Sequence, residues 1–540
     1  MTFASSSWLK TTVRKQSWAL EWVTTVLGGY CFRRVPQGGK ERRGRCAELP
    51  FLCLGRRAGG PETLCPKLCV DAQAGRFAHC IGDNGLAKRA RVGLWVAHGA
   101  GDADRMTSDA KGRLTVPPGD GRYTLRRIWL SKEEEQGYYY GLSNEGMWPV
   151  CHLAHERPIF RSEDWEFYVS VNRKFASAIL EEIGTGDAMV LVQDYHLALV
   201  PEMLKAARPD IRVGIFWHIP WPNPESFRIC PWRSNILKGM LAADLVGFHL
   251  QQYCNNFLDT VDRMVEARLD WDHFAVELRG HRSLVRPFPI SVESWDERDV
   301  PTGDALGMQI RLLKELHKLE NNEIIVGVDR IDYTKGLPER LRAVGRFFEK
   351  YPQHRGKVTY LQLGAPSRTH IRRYRDLIVE LESLADQINW KFQTEDWKPI
   401  RFLASHHDAS TVHAFMQMSS VCLVSSLHDG MNLVAKEYVA AKSDGNGMLV
   451  LSEFAGAARE LSDALVINPY DIEQFADAIC FAVEMTPEDR RVRMSRMRQV
   501  VEERNVYWWA ASFLTELAAT RSTSVRSGQF QIPKEVGATA

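Results

Sequence analysis

Two cations five residues apart are the first chemical signal in this chain. Arg330 and Lys335 lie in Asp329-Arg330-Ile331-Asp332-Tyr333-Thr334-Lys335-Gly336-Leu337, directly after the apolar run Ile324-Ile325-Val326-Gly327-Val328. A guanidinium fork and an ammonium point charge held that close could grip a diphosphate. Arg368, in Ala365-Pro366-Ser367-Arg368, could hold a second phosphate, that of an acceptor. The plainer fate of each cation is a surface ion pair. Asp429 and Glu437 are the matching anions. They flank the start of a helical pattern, Asn432-Leu433-Val434-Ala435-Lys436-Glu437, that follows the apolar run Val421–Val424. Carboxylates there suit sugar and ribose hydroxyls, while the first-turn amides and the helix dipole favour phosphate. The plainer reading is an N-capping Asp429 and a solvated Glu437.

Two further clusters end apolar runs. Met189-Val190-Leu191-Val192 leads into Gln193-Asp194-Tyr195-His196-Leu197, and Val213-Gly214-Ile215-Phe216-Trp217 leads into His218-Ile219-Pro220-Trp221-Pro222. Polar residues at the carboxyl ends of parallel strands are where doubly wound folds keep their chemistry. Tyr138, Tyr139, Tyr140 and Trp148, among glycines and polar residues in 137–149, suit a sugar-binding loop, or simply an aromatic core. No carboxylate pair or histidine cluster has metal-ligand spacing. A departing diphosphate would therefore be stabilised by cations and helix amides rather than by a divalent ion. Residue types alone point to an enzyme of nucleotide sugars or phosphosugars and go no further.

The elements that must position these residues alternate. Strands are predicted at 93–99, 123–130, 188–192, 213–217, 323–328, 358–364, 421–424 and 447–451, with a short one near 245. Helices are predicted at 161–184, 199–207, 302–319, 432–441 and 501–519. Residues 188–217 form a βαβ unit. The proline-bearing stretch 286–292 reads as a domain boundary. The expected organisation is a divergent basic segment over 1–91, poorly ordered; an acceptor domain over 92–288; a nucleotide-sugar domain over 289–490; a helix packing back on the body over 491–520; and a disordered tail over 521–540. The fold class is α/β, two Rossmann-like doubly wound domains facing one cleft.

Composition narrows the class. The chain has 540 residues, 45% hydrophobic and 25% charged, with a net charge of +2. That is ordinary for a globular protein and gives no reason to expect nucleic acid or a membrane as partner. Residues 1–91 carry 16 Lys+Arg against 6 Asp+Glu, whereas the remainder carries 53 against 61. Six of the 11 cysteines (Cys31, Cys46, Cys53, Cys65, Cys69, Cys80) also fall there. Cys65 and Cys69 have the spacing of half a zinc site, but no second pair completes it. Scattered thiols and no signal peptide suggest a reducing, cytoplasmic setting. The basic segment reads as an extension, as a nucleic-acid patch without aromatic interleaving, or as a start foreign to the native protein.

Longer motifs sharpen this. VQDYHL, HIPWP, CPWRSNILKGMLAADLVGFH, VGVDRIDYTKGL, APSR, HDGMNLVAKEYVAA and LSEFAGAARELSDALVINPYD occur in that order. Together, over roughly 92–518, they resemble the trehalose-6-phosphate synthase family of retaining glycosyltransferases. The resemblance implies a GT-B architecture and transfer of glucose from UDP-glucose to glucose 6-phosphate, giving α,α-trehalose 6-phosphate with no metal or other cofactor. It implies that Arg330 and Lys335 bind the donor diphosphate, with backbone groups of Asn432, Leu433 and Val434. Glu437 then binds the ribose, Asp429 and His218 the transferred glucose, and Tyr139, Trp148, Asp194 and Arg368 the acceptor. Asp429, His218, Arg330 and Lys335 are the expected catalytic set, with no side-chain nucleophile. A homo-oligomer is compatible with the resemblance. The sibling activity of glucosylglycerol-phosphate synthase, with other glucose nucleotides or a glycerol phosphate acceptor, stays open. The family's opening strand ends in Ser-Asn-Arg before a Gly-Gly-Leu loop. Residues 1–91 have no counterpart beyond Gly85-Leu86, so the first strand is expected to be missing, and a non-catalytic regulatory subunit is the alternative of another class. His428 stands where the family commonly has Arg.

Overall fold

The computed structural model describes residues 23–27, 93–99, 102–116, 123–298 and 300–520. Uninterrupted apolar runs such as Val421–Val424 and Met448–Ser452 become strands buried on both faces, as parallel sheets covered by helices require. In the C-terminal half these strands are β11 (Glu323–Arg330), β12 (Val358–Ala365), β13 (Ile400–Leu403), β14 (Val421–Val424), β15 (Met448–Ser452) and β16 (Leu465–Ile467). They form one sheet in the order β13-β12-β11-β14-β15-β16, parallel throughout. Counted from β11, this is the doubly wound order 3-2-1-4-5-6, and the order reverses between β11 and β14. Arg330 closes β11, and the turn carrying Asp429 follows β14.

The N-terminal half repeats the plan. Its strands are β1 (Val23–Leu27), β2 (Gly93–His98), β3 (Arg113–Val116), β4 (Tyr123–Ile128), β5 (Met189–Gln193), β6 (Arg212–Phe216), β7 (Leu245–Phe248), β8 (Arg268–Asp270), β9 (Ala275–Leu278) and β10 (His281–Pro287). The sheet runs β3-β4-β2-β1-β5-β6-β7-β10-β9-β8. The inner strands β4-β2-β1-β5-β6-β7 are parallel and again read 3-2-1-4-5-6, with the reversal between β1 and β5. Asp194 follows β5, and His218 lies two residues beyond β6. Two Rossmann-like units therefore bring polar strand ends to one crevice, as expected.

Several expectations need correction. The first strand is not missing: Val23–Leu27, rich in β-branched residues, fills the slot between β2 and β5 with Leu27 opposite Ala97 and Gln193. The residues after Leu27, Gly85-Leu86 and the segment 521–540 lie outside the described residues. The aromatic stretch is not a loop. Glu135–Met147 is a π-helix running into the helix Trp148–His152. The i+5 spacing is held by Ser143 and Asn144, whose side chains donate to the carbonyls of Tyr138 and Tyr139 at 2.7 Å. Antiparallel β8 to β10 and the edge strand β3 were not foreseen, and β10 ends inside the stretch read as a linker. The helix expected at 501–519 is divided. Pro487–Glu503 ends before Asn505, which caps Val506–Ala519 through its side chain. Pro487–Glu503 lies against Leu433–Ala441. Val506–Ala519 instead returns to the N-terminal sheet, where Phe513 fills the space left by Gly214 and Gly247.

Candidate active site

The donor-side geometry is set by two turns that lean on each other. After Arg330, Asp332 accepts from the amide and hydroxyl of Thr334 at 3.0 Å, which fixes the short 3-10 turn Tyr333–Lys335. Gly336 follows at φ 61°, and a Cβ there would stand 2.2 Å from the Ser425 carbonyl oxygen. Only glycine allows both that backbone conformation and that approach. Lys335 is thereby aimed across the reversal point, with Nζ 2.5 Å from Oδ2 of Asp429. The same carboxylate oxygen accepts from Ser426 Oγ and Asn432 Nδ2, each at 3.1 Å. Burial pushes the Asp429 carboxyl up, but Lys335 and these donors outweigh it and hold it well below the usual carboxylate range.

Asp429 is not the helix cap. Asn432, at φ 71°, accepts from the Ala435 amide and caps Leu433–Ala441. Leu433 and Val434 open that helix, where no intrahelical carbonyl is available to their amides. Glu437 is not solvated either. It is 6% exposed, with its carboxylate 3.5 Å from the Arg298 guanidinium, which itself lies 4.1 Å over the Trp295 ring. Arg330 stands 5.8 Å from the Trp148 ring, the first contact from donor side to acceptor side.

On the acceptor side, Arg368 sits at φ 48° with its guanidinium 4.1 Å over Trp148. It donates to Asp332 at 3.1 Å and to the Tyr374 hydroxyl at 2.7 Å. Its Nε and the Trp148 Nε1 are buried without a partner. Buried donors with that orientation are what an anionic, hydroxyl-bearing ligand would satisfy. Tyr139 stacks on His196 with centroids 5.6 Å apart and planes 16° apart. Asp194, at φ 71°, accepts from the amides of Tyr195 and His218 at 2.9 and 3.1 Å, tying β5 to β6. His218 Nε2 lies 2.5 Å from Gln193 Oε1. An acceptor facing that nitrogen places the ring proton there.

The two halves touch at these turns. A Cβ on Gly430 would come within 2.6 Å of the His218 carbonyl oxygen, so the Asp429-Gly430 turn fits only without a side chain. The Tyr253 hydroxyl donates to the Asp429 carbonyl at 3.3 Å, and His428 Nδ1 lies 2.9 Å from the His152 carbonyl. An ion pair of Arg373 with Glu156 at 2.5 Å also crosses the crevice. Thus Arg330, Lys335 and Asp429 face Trp148, Arg368 and His218 in one place. Glu437 and its arginine form the far end. Residue reading passed over Asp332, Ser426 and Gln193. Asp332 and Gln193 lie inside quoted motifs and Ser426 two residues before one, yet only the fold reveals that Asp332 steers Arg368 and Gln193 steers His218.

Five buried histidines, several of them at the site, are kept neutral. Burial lowers His152 and His196 to about 3 and His98 and His249 to about 4, and lowers His218 well below its ordinary value. The unfolded chain binds protons below about pH 6.5 that the fold refuses, so stability falls as pH drops through that value. Each such histidine removes up to about 1.4 kcal/mol per pH unit until its own folded pKa is reached. The expected result is a thermal midpoint that declines steadily from pH 6.5 to 5. A flat midpoint over that interval would contradict the neutral assignment.

Comparison with known proteins adds to this geometry. The model of glycosyltransferase family 20 matches residues 67–519. The alpha,alpha-trehalose-phosphate synthase [UDP-forming] of Botryotinia fuckeliana is 36% identical, covering 75% of this chain and 79% of the relative. The trehalose-6-phosphate synthase of Mycolicibacterium smegmatis is 39% identical, over 81% of this chain and 86% of the relative. Among solved structures, an E. coli protein bound with UDP-2-fluoro glucose aligns with a TM-score of 0.75 at 29% identity, covering 92% of this chain and 99% of that one. A Burkholderia xenovorans alpha,alpha-trehalose-phosphate synthase (UDP-forming) in complex with glucose-6-phosphate aligns at 0.76 and 28% identity, with 92% and 99% covered.

Proposed function

We propose, from the premise that this chain belongs to glycosyltransferase family 20, that it is a retaining glucosyltransferase making α,α-trehalose 6-phosphate and UDP from UDP-glucose and glucose 6-phosphate. The single observation that carries the reading is the Lys335–Asp429 pair at the reversal point of the C-terminal sheet. It puts one fixed cation and one fixed anion where a sugar diphosphate enters between strand ends. Arg330 and Lys335 take the diphosphate, and the amides of Leu433 and Val434 take its remaining oxygens. Glu437 takes the ribose, exchanging Arg298 for hydroxyls. Asp429 and the neutral His218 hold the transferred glucose by its hydroxyls. Arg368 binds the phosphate of glucose 6-phosphate, while Trp148 and Tyr139 pack on its ring and Asp194 meets its hydroxyls.

In the reaction the glucosyl C1–O bond to the diphosphate breaks, and the acceptor hydroxyl attacks C1 from the same face. Its proton passes to the departing phosphate oxygen. Positive charge from Arg330 and Lys335 meets the negative charge that grows on UDP, so these contacts strengthen as the bond breaks. The reading includes no metal, because the cations and helix amides supply that charge.

The test is direct. The full chain is incubated with UDP-, ADP- or GDP-glucose against glucose 6-phosphate or glycerol 3-phosphate, with and without EDTA, and nucleotide release and product are followed. UDP release and trehalose 6-phosphate from the first pair, unchanged by EDTA, are expected. Turnover only with glycerol 3-phosphate would make it the sibling enzyme. Nucleotide binding without turnover would make it a regulatory subunit, the outcome that the missing Ser-Asn-Arg motif favours.

A further inference from the structure

We propose that His354, Cys480 and Glu484 form a zinc site on the C-terminal domain, outside the cleft residues described above. Cys480 and Glu484 are four residues apart on the helix Ile472–Glu484, so one face presents both. That helix packs along Leu337–Lys350, and the 3-10 turn that follows, Pro352–His354, brings His354 over the same face. The three ligand atoms lie within 4.8 Å of one another. His354 Nε2 is 3.0 Å from Glu484 Oε1 and 3.9 Å from Cys480 Sγ. A tetrahedral zinc sets such donor–donor edges at about 3.4–3.6 Å, so the metal-free positions bracket the required spacing.

Other features fit a metal better than a bare ion pair. The His354 ring is stacked on Phe347, with centroids 5.2 Å apart and planes 25° apart, which holds Nε2 toward both other ligands. Its amide is tied to the Tyr351 carbonyl at 3.2 Å. Two of the three donors come from one rigid helix and the third from a fixed turn, which limits the entropy lost on closing the chelate. Thiolate, imidazole and carboxylate together suit zinc or cobalt, whereas calcium and magnesium take oxygen sets. Glu484 is exposed, so a fourth position opens to solvent and takes water. Zinc binds a cysteine as its thiolate. Metal binding therefore releases the thiol proton to solvent, one per zinc, and the imidazole and carboxylate exchange their mutual contact for the metal.

Residues 1–91 contain six further cysteines, so the test is a difference between variants. The full chain, Cys480→Ser and Glu484→Gln are stripped with chelator and titrated with Co(II), then with Zn(II). Glu484→Gln changes an exposed side chain and leaves the core intact. The parent is expected to bind one more equivalent of cobalt than Cys480→Ser, with a thiolate-to-cobalt charge-transfer band that zinc abolishes. Glu484→Gln is expected to weaken that equivalent by at least about tenfold. Zinc should raise the thermal midpoint of the parent above that of Cys480→Ser. Identical titrations in all three proteins would overturn the site.

Discussion

Lys335→Ala lowers the rate of glucosyl transfer by about 10²–10³-fold, the loss seen when one preorganised donor to a developing negative charge is removed. Lys335 has little freedom to be replaced by a neighbour. Asp332 fixes the turn before it, and the close approach of Gly336 to Ser425 fixes the turn after it. The loss falls mainly on kcat, because the ammonium matters most when the diphosphate carries the charge it gains on departure. A second effect reinforces the first. Asp429 is held ionised against burial chiefly by Lys335, so without it the carboxyl moves up toward neutrality. Lys335→Arg keeps the charge but not the compact ammonium geometry, and falls between the parent and the alanine variant. Steady-state rates with UDP-glucose and glucose 6-phosphate measure this, and near-parental kcat in Lys335→Ala removes Lys335 from the chemistry.

The features that hold Lys335 in place are unequally legible in the sequence. Val421–Val424 announces a buried parallel strand by being wholly apolar, and the turn after it follows from composition. The 3-2-1-4-5-6 order does not, because crossover connections decide which strands pair and local pattern is silent on that. β13, with Arg401 inside it, and the three-residue β16 offer too little apolar run to be seen. Val23–Leu27 does not stand out in the sequence because its flanks, with Glu21 on one side and glycines on the other, interrupt any apolar periodicity. The π-helix looks like a loop in the sequence because glycines at 137, 141 and 146 mark flexibility in most contexts. Here they let Phe167, Asp164 and Phe160 pack close. The helix cap falls on Asn432 and not on Asp429 for a similar reason. Either side chain can cap a helix, and only the backbone shows which one stands at the cap. Arg368 and Trp148, 220 residues apart in the chain, meet only through the pairing of the two sheets.

Arg340 was illegible altogether, and its replacement is expected to have the largest effect on stability. It lies on the amphipathic helix Leu337–Lys350 and its side chain is wholly buried. Its guanidinium donates to Asp329 at 2.6 Å, Ser425 Oγ at 2.8 Å and Gln362 Oε1 at 3.0 Å. Asp329 lies on β11 next to Arg330, Gln362 within β12 and Ser425 just past β14, so one guanidinium ties together the three strands behind the Arg330 and Asp429 turns. Arg340→Met fills the volume but leaves the buried Asp329 carboxylate without its ion-pair partner, at a cost of about 3–5 kcal/mol. For a domain of this size that lowers the thermal midpoint by roughly 6–20 °C. The pH dependence identifies the cause. Burial raises the Asp329 carboxyl above its ordinary value even in the parent, against the opposing pull of Arg340 and, less, of Lys335, so losing Arg340 raises it further. In Arg340→Met that carboxyl protonates in the fold at a pH where it is ionised in the unfolded chain. The parent follows the same slope until its own raised value is passed, so the variant's deficit widens only above that value, by up to about 1.4 kcal/mol per pH unit, until the variant's still higher one is reached. This slope is opposite in sign to the histidine effect, which destabilises both proteins as pH falls. Arg340→Met combined with Asp329→Asn removes the orphaned charge and should recover part of the loss and flatten the deficit. A deficit that stays constant between pH 5 and 8 in the single variant would show that packing, and not the unpaired carboxylate, sets the cost.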